Sequence, residues 1–215
     1  MSRGEAIGII GAGDQARETA AYILDAGLEI AWFAVEEGLL DTAKSDSRLR
    51  APVVALDDAL AAGAEVPVLV ALGYPGDRRR LAEVWGVRAF ATHLSDACWL
   101  APGVAVGRGT VVCPGAVISA GARLGEHVLV NLGATLSHDC HVGDFATISP
   151  GAHVAGHVTI GAGSFVGVGA TVSDRCRIGS GCLIGAGAVV IRDVPDATVV
   201  AGVPARELRT LDRWP

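Results

Sequence analysis

From residue 94 onward, apolar positions recur with a fixed beat. Aliphatic side chains fall on every sixth position, Leu94, Leu100, Val106, Val112, Ile118, Leu124, Val130, Leu136, Val142, Ile148, Val154, Ile160, Val166, Val172, Ile178, Ile184 and Val190, without a slip. Small residues crowd four positions later, as at Ala116, Ala134, Cys140, Ala146, Ala152, Ser164, Ala170, Cys176, Cys182 and Ala188. Helices and strands repeat at other intervals, so neither explains this period. A hexapeptide repeat predicts a parallel β-helix, with one flat side per repeat and three repeats to a turn. The aliphatic residue then points inward, and the small one fits where the chain bends. After Val190 the beat fails, Pro195 breaks the chain, and Glu207–Trp214 reads as a short terminal helix.

Residues 1–91 follow other periods. The apolar run Ala6–Ile10 precedes Gly11-Ala12-Gly13 and a helical stretch from Asp14 to about Ala26. Ile30–Val35 and Pro67–Leu72 read as further strands, and Asp77–Trp85 as a helix. Strands alternating with helices imply a small parallel sheet covered on both faces, about half of a full dinucleotide-binding fold. The expected organisation is therefore an α/β Rossmann-like half-domain over 1–91 and a β-helix with a tail over 92–215. The repeat carries no inserted loop, so its smooth sides suit packing into a trimer with clefts between subunits.

Composition narrows the partners. A net charge of -6 with a single lysine, Lys44, disfavours nucleic acid. Of the five cysteines, Cys140, Cys176 and Cys182 fall on the small-residue beat and read as reduced core fillers. The N-terminus lacks a secretion signal, and apolar runs stop short of the ~20 residues that span a bilayer. A cytoplasmic protein without membrane contact is expected.

Stacked coils place residues eighteen apart in one column, about 4.8 Å per coil. His138 and Asp139 share a bend, and Gly156 lies one coil on from His138, followed by Asp174. A carboxylate beside an imidazole can orient the ring and raise its basicity. A glycine in the next coil would let a main-chain N–H approach a reacting carbonyl. The same pair in isolation is also a common solvated turn.

The segment from Asn131 through His138 and Asp139 to Phe145 resembles the active-site segment of bacterial sugar acyltransferases. That group includes sialic acid O-acetyltransferases, UDP-4-amino-sugar N-acetyltransferases and GDP-perosamine N-acetyltransferase. Val199 to Arg206, with Gly202-Val203-Pro204-Ala205, resembles the tail motif of hexapeptide acyltransferases. The resemblance implies a left-handed β-helix trimer using acetyl-CoA and no metal. It implies His138 as the base, Asp139 as its partner and Asn131 near the acceptor. The acyl donor would pass Thr147, Gly156, Val168 and Ala186 in a groove between subunits. Gly13, Gln15, Glu36 and Gly73 would face a sugar or nucleotide-sugar acceptor. Arg192 and Arg206 could meet CoA phosphates or remain solvated.

Two departures stand out. Relatives often carry a second histidine where this chain has Thr147, and a threonine cannot carry a proton in the same way. The family's glycine turn commonly ends in Gly-His, whereas this chain has Asp14-Gln15, and Asp14 could cap the helix while repelling a diphosphate. Relatives that bind UDP-sugars also tend to have paired aspartates where this chain has Val35-Glu36-Glu37. An acceptor without a nucleotide therefore stays open. Three other classes compete with this one. Gly11-x-Gly13-x-x-Ala16 alone could suggest a nicotinamide enzyme, but the repeat offers no hydride-transfer site. A zinc lyase of the γ-carbonic-anhydrase kind needs three converging histidines; His138/His141 and His153/His157 lack that spacing. A non-catalytic binding scaffold would keep the fold and release no CoA.

Overall fold

The computed structural model describes residues 4–63 and 66–215, so the first three residues of the N-terminal segment lie outside it. The chain divides into two compact units. One runs to Gly73 and resumes over Asp77–His93; the other comprises Tyr74–Gly76 and Leu94–Pro215.

The first unit is built on a four-stranded sheet of β1 (Ala6–Ile10), β2 (Glu29–Val35), β3 (Val53–Ala55) and β4 (Val68–Val70). Every pairing is parallel and the order is β3-β2-β1-β4. The helices are α1 (Asp14–Asp25), α2 (Leu40–Lys44), α3 (Leu56–Ala61) and α4 (Pro75–Trp85), with a 3-10 turn at Glu37–Leu39. Ile7, Ile9, Ile10, Phe33 and Leu69 are all buried, as a sheet enclosed on both faces requires. Gly8 is a glycine because the Trp32 ring lies where its side chain would be. Strand order reverses between β1 and β4. Ligands of open α/β sheets bind beyond the strand ends at such a switch point, and here that point carries Gly11–Gly13 and Leu72–Gly73.

The second unit is the parallel β-helix. Two-residue strands stack on three faces with an eighteen-residue register, as in Arg123↔His141, Leu129↔Thr147 and Thr135↔His153. From Val112 to Val190 every sixth aliphatic residue is buried and joins one continuous core. Each such side chain contributes roughly 1.5–3 kcal/mol of apolar burial. Leu100 and Val106 are only partly buried, and Leu94 is exposed, because the first coil has no coil beneath it.

Each corner turns through a residue with positive φ three places after the inward aliphatic one. Gly115, Gly133, Gly151, Gly169 and Gly187 fill this position on one edge. His127, Asp139, Phe145, His157 and Arg175 adopt the same backbone without being glycine. A non-glycine residue there costs about 1–3 kcal/mol, and such strain concentrates at functional sites.

The end of the coil differs from expectation. The ladder continues past Val190 with a shortened sixteen-residue register, Ile178↔Val194 and Ile184↔Val200. The segment read as a terminal helix is instead a strand, Arg206–Thr210, antiparallel to Thr198–Ala201. Pairing with that neighbouring strand outweighs its helical composition. The tail then returns along the coil, and the Trp214 ring lies against Gly163 and Gly181. A side chain at either glycine would collide with that ring.

Candidate active site

His138 and Asp139 sit together on one corner, where the left-handed backbone of Asp139 (φ 57°) throws both side chains outward. Nδ1 of His138 lies 3.0 Å from Oδ2 of Asp139. An ionised carboxylate only accepts, so Nδ1 carries the proton and Nε2 of the neutral ring keeps its lone pair. The hydrogen bond from His138, aided by the nearby His157 and His141, holds the Asp139 carboxyl below its usual range. It is therefore ionised at neutral pH. The His138 side chain is 58 % exposed, so a ligand can reach its free nitrogen.

Gly156 lies directly under this ring. A Cβ built there would stand 2.7 Å from Cε1 and 2.8 Å from Nε2 of His138. The coil also joins the two residues by main chain, since His157 N–H donates to His138 O at 3.0 Å. A carboxylate-oriented, accessible imidazole above an unsubstituted backbone is suited to accept a proton from an attacking nucleophile.

A third side chain that sequence reasoning set aside enters this cluster. His157 Nδ1 is 3.8 Å from the same Asp139 oxygen, and its ring meets that of His138 edge to face at 4.9 Å. Counting eighteen residues from Asp139, rather than from His138, leads to it. Asp174, one coil further, instead turns toward Arg175 at 3.6 Å.

The other expected residues lie apart. Val168 and Ala186 are exposed on a different corner, in one column with Leu132 and Pro150. Leu132 was not anticipated, yet it and Val168 are large exposed apolar side chains on one edge. Asn131 is buried, and its Oδ1 accepts the Leu132 N–H at 2.8 Å, so it shapes that turn. Thr147 is only 2 % exposed, in the ladder between Leu129 and Phe165. Ligand access to its hydroxyl would require displacing neighbours. Cys140 is buried, its Sγ 3.0 Å from Ala155 O, and burial pushes its thiol pKa up. Both features oppose a nucleophilic role. Arg192 and Arg206 line a cavity of about 240 Å³ at the coil's end, together with Asp193 and Glu207.

In the first unit, Gly13 is exposed at the N-terminus of α1, and Gln15 is half-buried just inside it. Asp14 does not cap the helix; it pairs with Arg17, which tempers its repulsion toward an anion. Glu36, after β2, is held by both Arg80 nitrogens at 2.8 and 2.9 Å, and that pairing lowers its pKa. Leu72 and Gly73 carbonyls accept from the buried Arg78 at 2.6 and 3.1 Å, which fixes the strand end opposite Gly11. Burial pushes the Arg78 pKa down, but those acceptors keep a guanidinium favourable at neutral pH. No helix among the described residues is long and apolar enough to cross a membrane.

Comparison with known proteins bears on the fold and the family. Residues 139–174 and 157–192 match the family described as bacterial transferase hexapeptide (six repeats). No curated protein matches the sequence. Among solved structures, PerB from Caulobacter crescentus in complex with CoA and GDP-perosamine is 30% identical, with a TM-score of 0.85 over 97% of this chain and 99% of that one. The acetyltransferase domain of PglB from Neisseria gonorrhoeae, in complex with acetyl coenzyme A, is 31% identical, with a TM-score of 0.81 over 95% and 100%. WeeI from Acinetobacter baumannii is 27% identical, with a TM-score of 0.81 over 95% and 100%. The chain belongs to the hexapeptide-repeat sugar acyltransferases, whose coil is the left-handed β-helix.

Proposed function

We propose that this protein transfers an acetyl group from acetyl-CoA to the amino (or hydroxyl) group of a sugar. The acceptor we favour is a nucleotide-linked 4-amino-4,6-dideoxy sugar. One observation carries the reading: an exposed His138 ring, held through Nδ1 by Asp139 at 3.0 Å, lies over a glycine. In this mechanism Nε2 takes the proton as the acceptor nitrogen attacks the thioester carbon. The carbonyl π pair moves to oxygen, where the Gly156 N–H can stabilise it. Its return expels the CoA thiolate. Asp139 keeps the ring oriented and stabilises the imidazolium that forms. Direct transfer fits the burial of Cys140, which leaves no thiol at the site to be acylated.

The donor would lie along the Leu132–Val168–Ala186 edge of a neighbouring subunit, while His138 and Gly156 face it from their own. In one chain these edges are separate corners, a flat side of about 20 Å apart at strand rise. A site using both is thus built from two copies, which is why we favour a trimer. Buried Thr147 and Asn131 are left out of direct contact. Gly13, Gln15, Glu36 and Gly73 would receive the nucleotide end of the acceptor at the switch point of the parallel sheet. The pairing of Asp14 with Arg17 supports keeping a nucleotide in that reading. Dependence on acetyl-CoA suits a cytoplasmic location.

The test is direct. Purified protein is incubated with acetyl-CoA and a panel of GDP-, UDP- and dTDP-linked 4-amino sugars, alongside free sialic acid, and products are weighed by mass spectrometry. An N-acetylated nucleotide sugar is expected. His138→Ala should lower kcat by about 10²–10⁴-fold, whereas Cys140→Ala should retain most activity. The opposite ranking, or product from free sialic acid alone, would overturn the assignment.

A further inference from the structure

The proposed base does not stand alone with its carboxylate. His138, Asp139 and His157 each offer one ligand atom, and all of these lie within 4.8 Å of one another. Two imidazoles and one carboxylate form a donor set well suited to zinc, which bonds such atoms at about 2.0–2.2 Å and completes its tetrahedron with water. We propose that this cluster binds a zinc ion, and that the ion acts as an inhibitor of transfer rather than as a cofactor.

Three further features favour the site. The supporting backbone is fixed: Asp139 N–H donates to Ala120 O at 2.9 Å and His157 N–H to His138 O at 3.0 Å. Asp139 and His157 occupy the same left-handed corner in successive coils, so their side chains leave the coil in register. All three side chains are exposed, at 58, 52 and 42 %. Small side-chain rotations bring the ligands together without moving the ladder, and water can fill the remaining position. One coil further on, Asp174 and Arg175 face each other and leave the local charge balanced.

Binding has a defined chemical consequence. The ion takes the lone pair of each imidazole, and the other nitrogen of the His138 ring carries the proton. The ring then has no lone pair with which to accept a proton. The blocking effect rests on the reading of His138 as the base; binding itself does not.

The test uses tag-free, full-length protein. Zinc chloride is titrated by calorimetry, and cobalt(II) serves as a spectroscopic probe for tetrahedral ligation. Expected are one zinc per chain and a tetrahedral cobalt spectrum. Affinity should fall about tenfold or more in both His157→Asn and His138→Asn, but not in His141→Asn, whose ring stands on an outer face. Acetylated product, followed by mass because zinc also binds thiols, should fall with added zinc and return with EDTA. No binding, or binding that survives both His138→Asn and His157→Asn, overturns the site. Binding without loss of product overturns the inhibition. Product formed with EDTA but no zinc bound leaves the transferase reading standing and removes this one. Zinc bound as described with no product even in EDTA leaves the metal site standing and removes the transferase reading, and the inhibition with it.

Discussion

Gly156 does not adopt the left-handed backbone that favours glycine, so its importance lies in what it lacks. A methyl group there would press on Cε1 and Nε2 of His138, the edge that would face the acceptor. Because that ring is exposed, it can yield without disturbing the core. Gly156→Ala should therefore lower kcat by about 10–100-fold, since small misplacement of a reacting group is costly. Its thermal midpoint should stay near that of the wild type. Steady-state kinetics and a melting curve on one preparation separate these effects; a large fall in the midpoint would mean that the glycine serves folding. The His138–Gly156 alignment was legible from the eighteen-residue column alone. His157 was considered only as half of a pair with His153 and set aside, because the column was followed from His138 and not from Asp139. The burial of Asn131 and Thr147 was not legible, because period-six patterning marks inward positions and does not say how deeply an outward side chain is covered.

Elements of the coil were readable because their spacing is set by the repeat itself, whatever packs outside. The N-terminal unit was readable where apolar runs were long, and even the three-residue β4 was read because it lies inside the apolar run Pro67–Leu72. β1, β2 and α1 emerged within a residue or so, whereas β3, α2 and α3, each three to six residues long, left no periodic trace. The final strand misled for a different reason: Arg206–Thr210 pairs with Thr198–Ala201, a choice made by the neighbouring strand and not by composition. Beyond it, Trp214 lies on Gly163 and Gly181 and tilts against Phe145 at 6.4 Å. The glycines of that edge thus form a seat for the tail. Trp214→Ala should destabilise the coil by about 1.5–3 kcal/mol, read as a lower urea midpoint with an unchanged slope. An unaltered midpoint would show that the tail is held elsewhere.

At the scale of the whole molecule, the separation of His138 from Val168 and Ala186 makes a statement about assembly. If each site joins one chain's histidine edge to another's apolar edge, two differently damaged copies can rescue each other. His138→Ala and Ala186→Trp should each be nearly inactive alone. Co-expressed in equal amounts, they should restore about a quarter of wild-type sites, as random pairing in a closed ring allows. Activity no greater than the sum of the separate variants would place the whole site within one chain. The same architecture shows why it stops where it does. A repeating ladder has no intrinsic length, and a bare parallel rung invites another to add. Here the last rung runs backwards, is exposed throughout, and carries Arg206, Glu207 and Arg209. Such charged edges discourage strand addition, so a newcomer at this face of the coil meets a rung of the wrong polarity.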